Sequence, residues 1–223
     1  MKVFKMIVCI ILAASMLLLA GCNNWWDDAE QFRLAYAQFR ENPSVKIIAE
    51  EYAGTSFSDL KLKSTVEEWR NGEDFYQITD DGSRYLHKQD EDWRGVVKET
   101  YSSWVLATRS NKSKLSWMTK DAEPYLAGQS YFAHDGETII MEHRSNSRHW
   151  TESKRTGSVF TFYMTKNWEI FKIIVADITF KGDRALEEEI ETLQQNIYCI
   201  TPVEQTEVDM LIRKHFLEAN GVQ

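Results

Sequence analysis

The chain is predicted to be an α+β protein, with an antiparallel sheet, an N-terminal helix and C-terminal helices. Two changes of hydrophobic period predict this class. Apolar residues recur every three to four positions near the start and again near the end, as on one face of a helix. Between these regions, short alternating runs are separated by Asn-Gly and Asp-Gly pairs, which are typical of hairpins. An aromatic content of 13% also favours a sheet-rich protein.

The start of the chain has the three parts of a secretory signal. Lys2 and Lys5 give a positive end, and residues 6–19 carry no charged side chain. This apolar stretch is shorter than the roughly 20 residues that a membrane-spanning helix needs. The motif Leu19-Ala20-Gly21-Cys22 follows and resembles the lipobox of bacterial lipoproteins. The resemblance implies that the thiol of Cys22 is diacylated, that the chain is cut before it, and that the new amino group can also be acylated.

The lipobox divides the chain into three parts. We expect a signal peptide over 1–21, a lipidated tether over 22–28 and a single α+β domain over 29–223. Because two or three acyl chains anchor a protein stably, the resemblance implies an extracytoplasmic domain that is lipid-anchored to a bacterial membrane. The alternative is an ordinary secretory signal with a cysteine at its end. Trp25 and Trp26 in the tether are expected either at the membrane interface or packed on the domain.

The N-terminal helix is the first element with a clear period. Phe32, Tyr36 and Phe39 lie four and three residues apart and form one apolar stripe, which predicts a helix over 27–41. Asp27 is a candidate N-cap. Asn42-Pro43 is expected to end the helix, because the residue before a proline disfavours helical geometry.

The middle of the chain is predicted to form a series of short strands. Asn71-Gly72, Asp81-Gly82 and Asp135-Gly136 are interpreted as turns between them. The stretch 99–129 has no clear period, and 101–108 within it fits either a strand or a helix. The predicted strands are 45–53, 59–70, 75–78, 84–87, 93–97, 131–133, 138–142, 158–164 and 168–180.

The C-terminal part is predicted to be helical from about residue 183, with 198–200 between two helices as a candidate short strand. Leu186, Ile190, Leu193 and Ile197 keep a helical spacing. A further helix is expected to begin at Thr201-Pro202-Val203-Glu204, which offers a capping residue and a proline at the first helical position. The apolar stripe of that helix and the glycine that stops it are Val208, Leu211, Ile212, Phe216 and Gly221.

The charge balance argues against two classes of partner. The net charge is −8, and loss of Lys2 and Lys5 with the signal brings the mature chain close to −10. Nucleic-acid binding and polybasic membrane contacts both depend on clusters of Lys and Arg. We therefore expect no nucleic-acid partner and no polybasic contact, and the acidic balance is otherwise explained by solubility.

The cysteine count leaves no internal disulfide. Of the three cysteines, Cys9 is removed with the signal and Cys22 is used for lipid, so that Cys199 remains alone. Cys199 lies in an apolar run, Ile197-Tyr198-Cys199-Ile200. We expect it to be a small buried hydrophobic residue, with a reactive thiol as the alternative.

The sequence lacks the common motifs for catalysis and metal binding. It contains no G-x-S-x-G, no P-loop, no G-x-G-x-x-G and no paired zinc cysteines. His143 and His149 stand among arginines that would repel a cation, so 143–155 is interpreted as a solvated basic loop, or as a contact for an acidic partner or lipid headgroup. The acidic run 187–191 is interpreted as a solvated helix face. We expect no catalytic, cofactor-binding or metal-ligating residue and no enzyme activity.

The order of elements resembles the half-barrel of the lipoprotein-carrier family over roughly residues 27–180. The resemblance implies a strongly curved antiparallel sheet that wraps a helical lid and holds an acyl chain, and it transfers no ligand residue. Six tryptophans in or near the predicted sheet either pack in the core or line an apolar cavity on its concave side. They are Trp69, Trp93, Trp104, Trp117, Trp150 and Trp168.

The leading functional hypothesis is a non-enzymatic, membrane-anchored envelope lipoprotein that binds an apolar or amphiphilic ligand, such as a lipid or a lipoprotein acyl chain, in a concave sheet. The alternative is a protein–protein interaction or sensor module of the envelope, with the 143–155 loop facing an acidic partner. A cavity of several hundred cubic ångströms would favour the first hypothesis. A filled core with an exposed apolar patch would favour the second.

Overall fold

The computed structural model describes residues 25–41, 44–88, 91–98, 101–106, 112–118, 130–146, 154–181 and 190–221. These residues form an α+β fold, as predicted. Helix α1 covers 25–41, and helix α2 covers Gln205–Ala219. The strands are β1 Val45–Gly54, β2 Lys61–Asn71, β3 Asp74–Thr79, β4 Arg84–Lys88, β5 Glu91–Lys98, β6 Tyr101–Leu106, β7 Ser130–Asp135, β8 Thr138–Asn146, β9 Lys154–Thr165, β10 Ile170–Lys181 and β11 Ile190–Pro202.

The eleven strands form one antiparallel sheet in the order β6-β5-β4-β3-β2-β1-β11-β10-β9-β8-β7. The chain runs outward from β1 to β6, then starts again at the far edge with β7 and returns to β11. The last strand pairs with the first, so that Ile47 lies opposite Ile200 and Ala49 opposite Tyr198. Within the described residues, β6 and β7 are the two edges and do not pair with each other, so the sheet is open.

Two hairpin turns confirm the glycine signals in the sequence. Asn71 pairs with Asp74, and Asp135 pairs with Thr138, so each loop contains two residues. Gly72 and Gly136 take the first loop position with φ values of 62° and 60°. A positive φ at the first position alone is the type II′ geometry, which matches the twist of the flanking strands. The Asn or Asp before each glycine ends its strand.

One face of the sheet packs against α1, and we call it the α1 face. Phe32 and Tyr36 of the helix are 0% and 1% exposed. They pack on a buried cluster that includes Ile47, Phe162 and Ile173 from three different strands. Each such side chain contributes about 1.5–3 kcal/mol when fully buried. The stripe predicted from the helical spacing is therefore the one that docks α1 on the sheet.

The opposite face packs against α2, and we call it the α2 face. Val208 and Ile212 of the helix are 0% and 1% exposed and lie on Tyr76 and Leu86 of β3 and β4. The predicted stripe of α2 is thus confirmed. Partly buried aromatic residues complete this second cluster, and three of the six tryptophans of the sheet are among them: Trp69, Trp93 and Trp104.

The predicted helix with its stripe at 186–197 is wrong where the structure describes it. Residues Ile190–Pro202 form β11, which pairs with β1 on one side and β10 on the other. Tyr198 is buried on the α1 face, whereas Leu193 is buried on the α2 face. A strand that buries residues on both faces loses its alternation, and its apolar spacing is then compatible with a helix. The described C-terminal region therefore has one helix, not several.

The ends of the two helices also differ from the prediction. The described part of helix α1 starts at residue 25, so Asp27 is a helical residue and not an N-cap, and residues 25–28 of the expected tether are helical. Thr201 belongs to β11, and the N-cap of α2 is Glu204, which makes no side-chain capping bond. The predicted stop of α2 is confirmed, because Gly221 has a φ of 71° just beyond the helix.

Some predictions concern parts of the chain outside the described residues. These parts include the signal peptide over 1–21, Cys22 and Asn42-Pro43. The ambiguous stretch 101–108 is resolved in favour of a strand, since β6 covers Tyr101–Leu106. Among the residues that the structure describes, no helix has the length and apolarity to cross a membrane.

Candidate functional site

Aromatic side chains pack closely over two parts of the α1 face. The ring of Phe32 lies 5.1 Å from that of Phe162, an edge-on contact in the core. Residues 112–118 cover a second part of this face, where the ring of Trp117 lies 5.7 Å from Phe160 and 6.1 Å from Tyr198. These aromatic residues therefore pack against one another, as the core-packing interpretation predicts.

A buried carboxyl group holds the 112–118 segment on the sheet. Glu68 in β2 is 0% exposed and Gln77 opposite it in β3 is 1% exposed. Oε1 of Glu68 accepts a hydrogen bond from Oγ of Ser113 at 2.5 Å. Its Oε2 accepts bonds from Nε2 of Gln77 at 2.5 Å and from the backbone N–H of Lys114 at 2.8 Å. Nε2 of Gln77 also donates to the carbonyl oxygen of Lys112 at 3.1 Å, so both buried side chains are satisfied by this segment.

The cleft that we assign as the candidate site lies beside α1, not beneath it. Its volume is about 640 Å³. It is bounded by α1, the start of β1, the β9–β10 turn and the start of β10. The end of β11 and the start of α2 form the rest of its boundary. Its residues are Gln31, Leu34, Ala35, Gln38, Phe39, Ser44, Val45, Asn167, Trp168, Glu169, Ile170, Ile200, Pro202, Val203 and Gln205.

The cleft has an apolar base and exposed apolar groups on its walls. Ile170 and Ile200 at the base are 5% and 4% exposed and belong to the main core cluster. Leu34 on the helical wall is 52% exposed. Phe39 and Trp168 are partly buried and pack against the same cluster. A ligand in this cleft would therefore remove apolar surface from water, mainly at Leu34 and Trp168.

Trp168 has a backbone conformation that is uncommon for its residue type. Its φ is 66°, in the left-handed region. Its N–H donates to the carbonyl oxygen of Thr165 at 2.8 Å, and the N–H of Thr165 donates to Glu169 at 3.0 Å, closing a three-residue loop. Glycine is the usual residue at this position of such loops, and a non-glycine residue costs about 1–2 kcal/mol there. The indole stands 6.4 Å from Phe132 and 6.5 Å from His134.

The opposite wall is fixed where β11 leads into α2. The N–H of Val203 donates to the carbonyl oxygen of Ser44 at 3.1 Å, which ties the end of β11 to the residue before β1. Gln205 is the first residue of α2, so its position follows from that of Val203. Three separate regions of the sequence therefore meet at the cleft, and none of them forms it alone.

The polar groups of the cleft are mostly neutral. Four of them are the side-chain amides of Gln31, Gln38, Asn167 and Gln205. Glu169 is the one acid, and no lysine, arginine or histidine is found among the described residues that line the cleft. Amides both donate and accept hydrogen bonds. The arrangement suits a molecule with an apolar part and an uncharged polar part, because no cation is at hand for a phosphate or a carboxylate.

The predicted histidine and basic loop are only partly described. His143 lies in β8, where burial lowers its pKa and its Nδ1 stands 2.9 Å from Oγ of Ser130. Arg144 also belongs to β8, and its Nε contacts Oε1 of Glu142 at 2.8 Å. The structure does not describe 147–153, which contains His149 and Trp150. Within the described residues, no group of His, Cys, Asp and Glu is arranged to hold a metal ion.

Cys199 is exposed, so the prediction that it is buried is wrong. The alternation of β11 turns Tyr198 and Ile200 toward the α1 face and leaves Cys199 on the other face. Its partner across the ladder is Ile48, which is itself 37% exposed. The apolar run in the sequence therefore reflects one buried face and one partly open face.

The two tryptophans of the tether have different environments. Nε1 of Trp25 donates to the carbonyl oxygen of Ser130 at 3.2 Å, and its ring lies 6.4 Å from Phe132. Trp26 is 68% exposed. Trp25 thus packs on the domain, which is one of the two expected environments. Trp26 does not pack on it in this way.

Comparison with known proteins gives only distant structural likenesses. No family model matches the chain, and no curated protein matches it. A solved structure of a DUF1329 family protein from Desulfovibrio piger ATCC 29098 is similar, with 13% sequence identity over 80% of this chain and 98% of that chain. The TM-score is 0.29, and a likeness at that level carries no argument about fold or function.

Proposed function

We propose that the protein is a non-enzymatic, membrane-anchored lipoprotein of the bacterial envelope that binds an amphiphilic molecule, such as a lipid or a lipoprotein acyl chain, in the cleft beside α1. The anchoring part of this proposal rests on the lipobox at Cys22. The binding part rests on the cleft. Its volume of about 640 Å³ is within the range of roughly 300–1,000 Å³ that is typical of small-molecule sites.

The observation that carries the proposal is the combination of an apolar base with a rim of neutral amides. Leu34 and Trp168 offer apolar surface that a hydrocarbon chain would cover. Gln31, Gln38 and Gln205 offer hydrogen bonds to hydroxyl, ester or amide groups. The expected ligand is thus a lipid-like molecule with an uncharged polar group next to its chain. The proposed site lies beside α1, whereas the sequence predicts a cavity on the concave side of the sheet.

Photo-crosslinking with a lipid probe tests the proposal. The lipidated chain is placed in phosphatidylcholine nanodiscs with a monoacylglycerol that carries a diazirine in its chain, and the adducts are located by mass spectrometry. We expect adducts on Leu34, Trp168 or their neighbours in the cleft. The same diazirine in a free fatty acid, which has an anionic head, is expected to give fewer adducts there.

A matched pair of variants makes the test specific. Leu34→Asp puts a charge on the cleft wall at a position that is 52% exposed, and Met210→Asp does the same on α2 at a position that is 67% exposed. Leu34→Asp should lower the yield of cleft adducts about tenfold, which corresponds to roughly 1.4 kcal/mol. Met210→Asp should leave the yield unchanged. The absence of cleft adducts in the unmodified protein, or an equal loss in both variants, would overturn the proposal.

A further inference from the structure

The short distance between Cys22 and α1 fixes which end of the molecule is near the bilayer. The described part of helix α1 starts at residue 25, three residues after Cys22. A fully extended chain of that length spans no more than about 11 Å. If Cys22 carries acyl chains, as the proposed function states, its Cα lies at the membrane surface. The first turn of α1 must then lie within about one helix diameter of that surface.

Two aromatic side chains are exposed at this end of the molecule. Trp26 is 68% exposed, and Tyr131 in the edge strand β7 is 61% exposed. Tyr131 directly follows Ser130, whose carbonyl oxygen accepts the hydrogen bond from the indole of Trp25. The packed ring of Trp25 stands perpendicular to that of Trp26, with the ring centres 4.9 Å apart. Trp25 therefore joins the start of the described part of α1 to β7 at Ser130 and Phe132. The side chain of Tyr131 lies on the opposite face of this edge strand from Phe132.

The charges near these aromatic residues are acidic or paired. Asp27 is exposed in the first turn of α1. Asp28 is paired, since its Oδ2 stands 3.0 Å from Nε2 of His134 in β7. Asp135 at the end of β7 is exposed as well. Acidic side chains gain nothing from an anionic bilayer surface, so any contact here depends on the aromatic rings. Trp and Tyr favour the headgroup level of a bilayer, where one part of the ring is wet and the other is apolar.

We infer that the N-terminal end of α1 and the adjoining edge of β7 form a membrane-facing surface, in which Trp26 enters the headgroup region of a zwitterionic bilayer. The inference rests on the proposed anchoring at Cys22 and adds an orientation to it. Trp26 is a second contact besides the lipid, and this contact limits rotation of the domain about its tether. Along α1, Gln31 at the near end of the cleft is about 8 Å from Trp26, at 1.5 Å per residue. The cleft is thereby held close to the lipid surface.

Depth measurement with a fluorescent label tests this surface. The experiment uses lipidated full-length protein in phosphatidylcholine vesicles, with Cys199→Ser to remove the exposed thiol. An environment-sensitive fluorophore is attached at Trp26→Cys in one sample and at Met210→Cys on α2 in the control. The two positions are matched in exposure, at 68% and 67%. We expect lipids with a headgroup-level nitroxide to quench the label at position 26 severalfold more than the label at position 210.

Two further readings decide between possible outcomes. Exchange of part of the phosphatidylcholine for phosphatidylglycerol should not strengthen the quenching at position 26, because Asp27 and Asp135 would face the added negative charge. Equal quenching at positions 26 and 210, or stronger insertion into the anionic vesicles, would overturn the inference. Mass spectrometry of the N-terminal peptide separates this result from failure of the anchoring itself. An unacylated Cys22 contradicts the proposed function, whereas an acylated Cys22 with equal quenching contradicts the membrane-facing surface alone.

Discussion

Replacement of Glu68 by alanine would remove the acceptor that holds residues 112–118 on the sheet. The carboxyl group accepts hydrogen bonds from Ser113, Lys114 and Gln77. Glu68→Ala leaves all three donors without this partner and also leaves a space in a region where the side chain is 0% exposed. Because an unpaired buried donor loses its full hydration free energy, the cost exceeds that of the hydrogen bonds alone.

The size of the effect follows from the burial of each donor. Gln77 is 1% exposed, so the amide hydrogen that faces Glu68 stays dry and costs about 1–3 kcal/mol when it loses this acceptor. Ser113 and Lys114 are only half-buried and regain water, so each adds less than Gln77 does. We expect a total loss of about 3–4 kcal/mol in the free energy of unfolding, close to the range for removal of one partner from a buried ionic pair. Glu68→Gln keeps the shape and one acceptor oxygen, and should cost about 1–2 kcal/mol.

The neighbouring acid supplies the control. Glu67 lies on the opposite face of β2, where its Oε2 contacts Nζ of Lys46 at 3.1 Å and its side chain is 41% exposed. Glu67→Ala should therefore cost less than about 1 kcal/mol. Urea denaturation followed by tryptophan fluorescence gives the free energies, and near-UV circular dichroism reports on the packing of Trp117. If Glu68→Ala and Glu67→Ala cost the same within about 0.5 kcal/mol, the buried carboxyl group does not hold the segment.

Three other predictions concern pH, backbone strain and thiol exposure. Burial lowers the pKa of His215, whose ring stacks on that of Tyr76 with the ring centres 4.1 Å apart. The unfolded chain therefore binds more protons than the folded chain below about pH 6.5. As a result, the free energy of unfolding falls as the pH drops through that value. His215→Gln should reduce this dependence of the free energy of unfolding on pH, measured in denaturation curves between about pH 7.5 and 5.5. An unchanged dependence would show that other titratable groups cause it. Trp168→Gly should have a free energy of unfolding about 0.5–1 kcal/mol higher than that of Trp168→Ala, because both variants lose the indole and only alanine keeps the cost of φ 66°. Equal free energies of unfolding would show that this φ carries no strain. Cys199 should react with a maleimide in the folded protein, and a reaction that requires denaturant would contradict its exposure.

Local signals explain the parts of the fold that the sequence predicts well. Gly72 and Gly136 mark tight hairpins because the required φ is positive there, and the chain needs no distant contact to form them. The stripe of Phe32 and Tyr36 predicts α1 for the same reason, since one repeat length suffices to define a helical face. Glycines with positive φ mark the turns between β2 and β3, between β3 and β4, and between β7 and β8, so these three pairings follow from the sequence.

The errors arise where a residue depends on distant partners. Strand β11 lies between β1 and β10. Its apolar residues are buried on both faces of the sheet, so their spacing does not follow the two-residue period of a strand with one buried face. Glu67 and Glu68 are adjacent acids, and no local feature shows that the second one is buried under Ser113. Similarly, Trp168 is recognisable as one of several tryptophans near the sheet, but its place in the cleft depends on α1 and on the start of α2.

The position of β11 also determines when the protein can fold. Val45 at the start of β1 lies opposite Pro202 at the end of β11, so the central pairing joins the two ends of the domain. Contacts so far apart in sequence slow folding, because a long loop must close before they form. A chain that is synthesised with its N-terminus first therefore exposes the free edges of β1 and β10 until residues 190–202 have followed. During that interval the nascent chain is open to strand-to-strand aggregation, and a chaperone that shields these edges would have its greatest effect then.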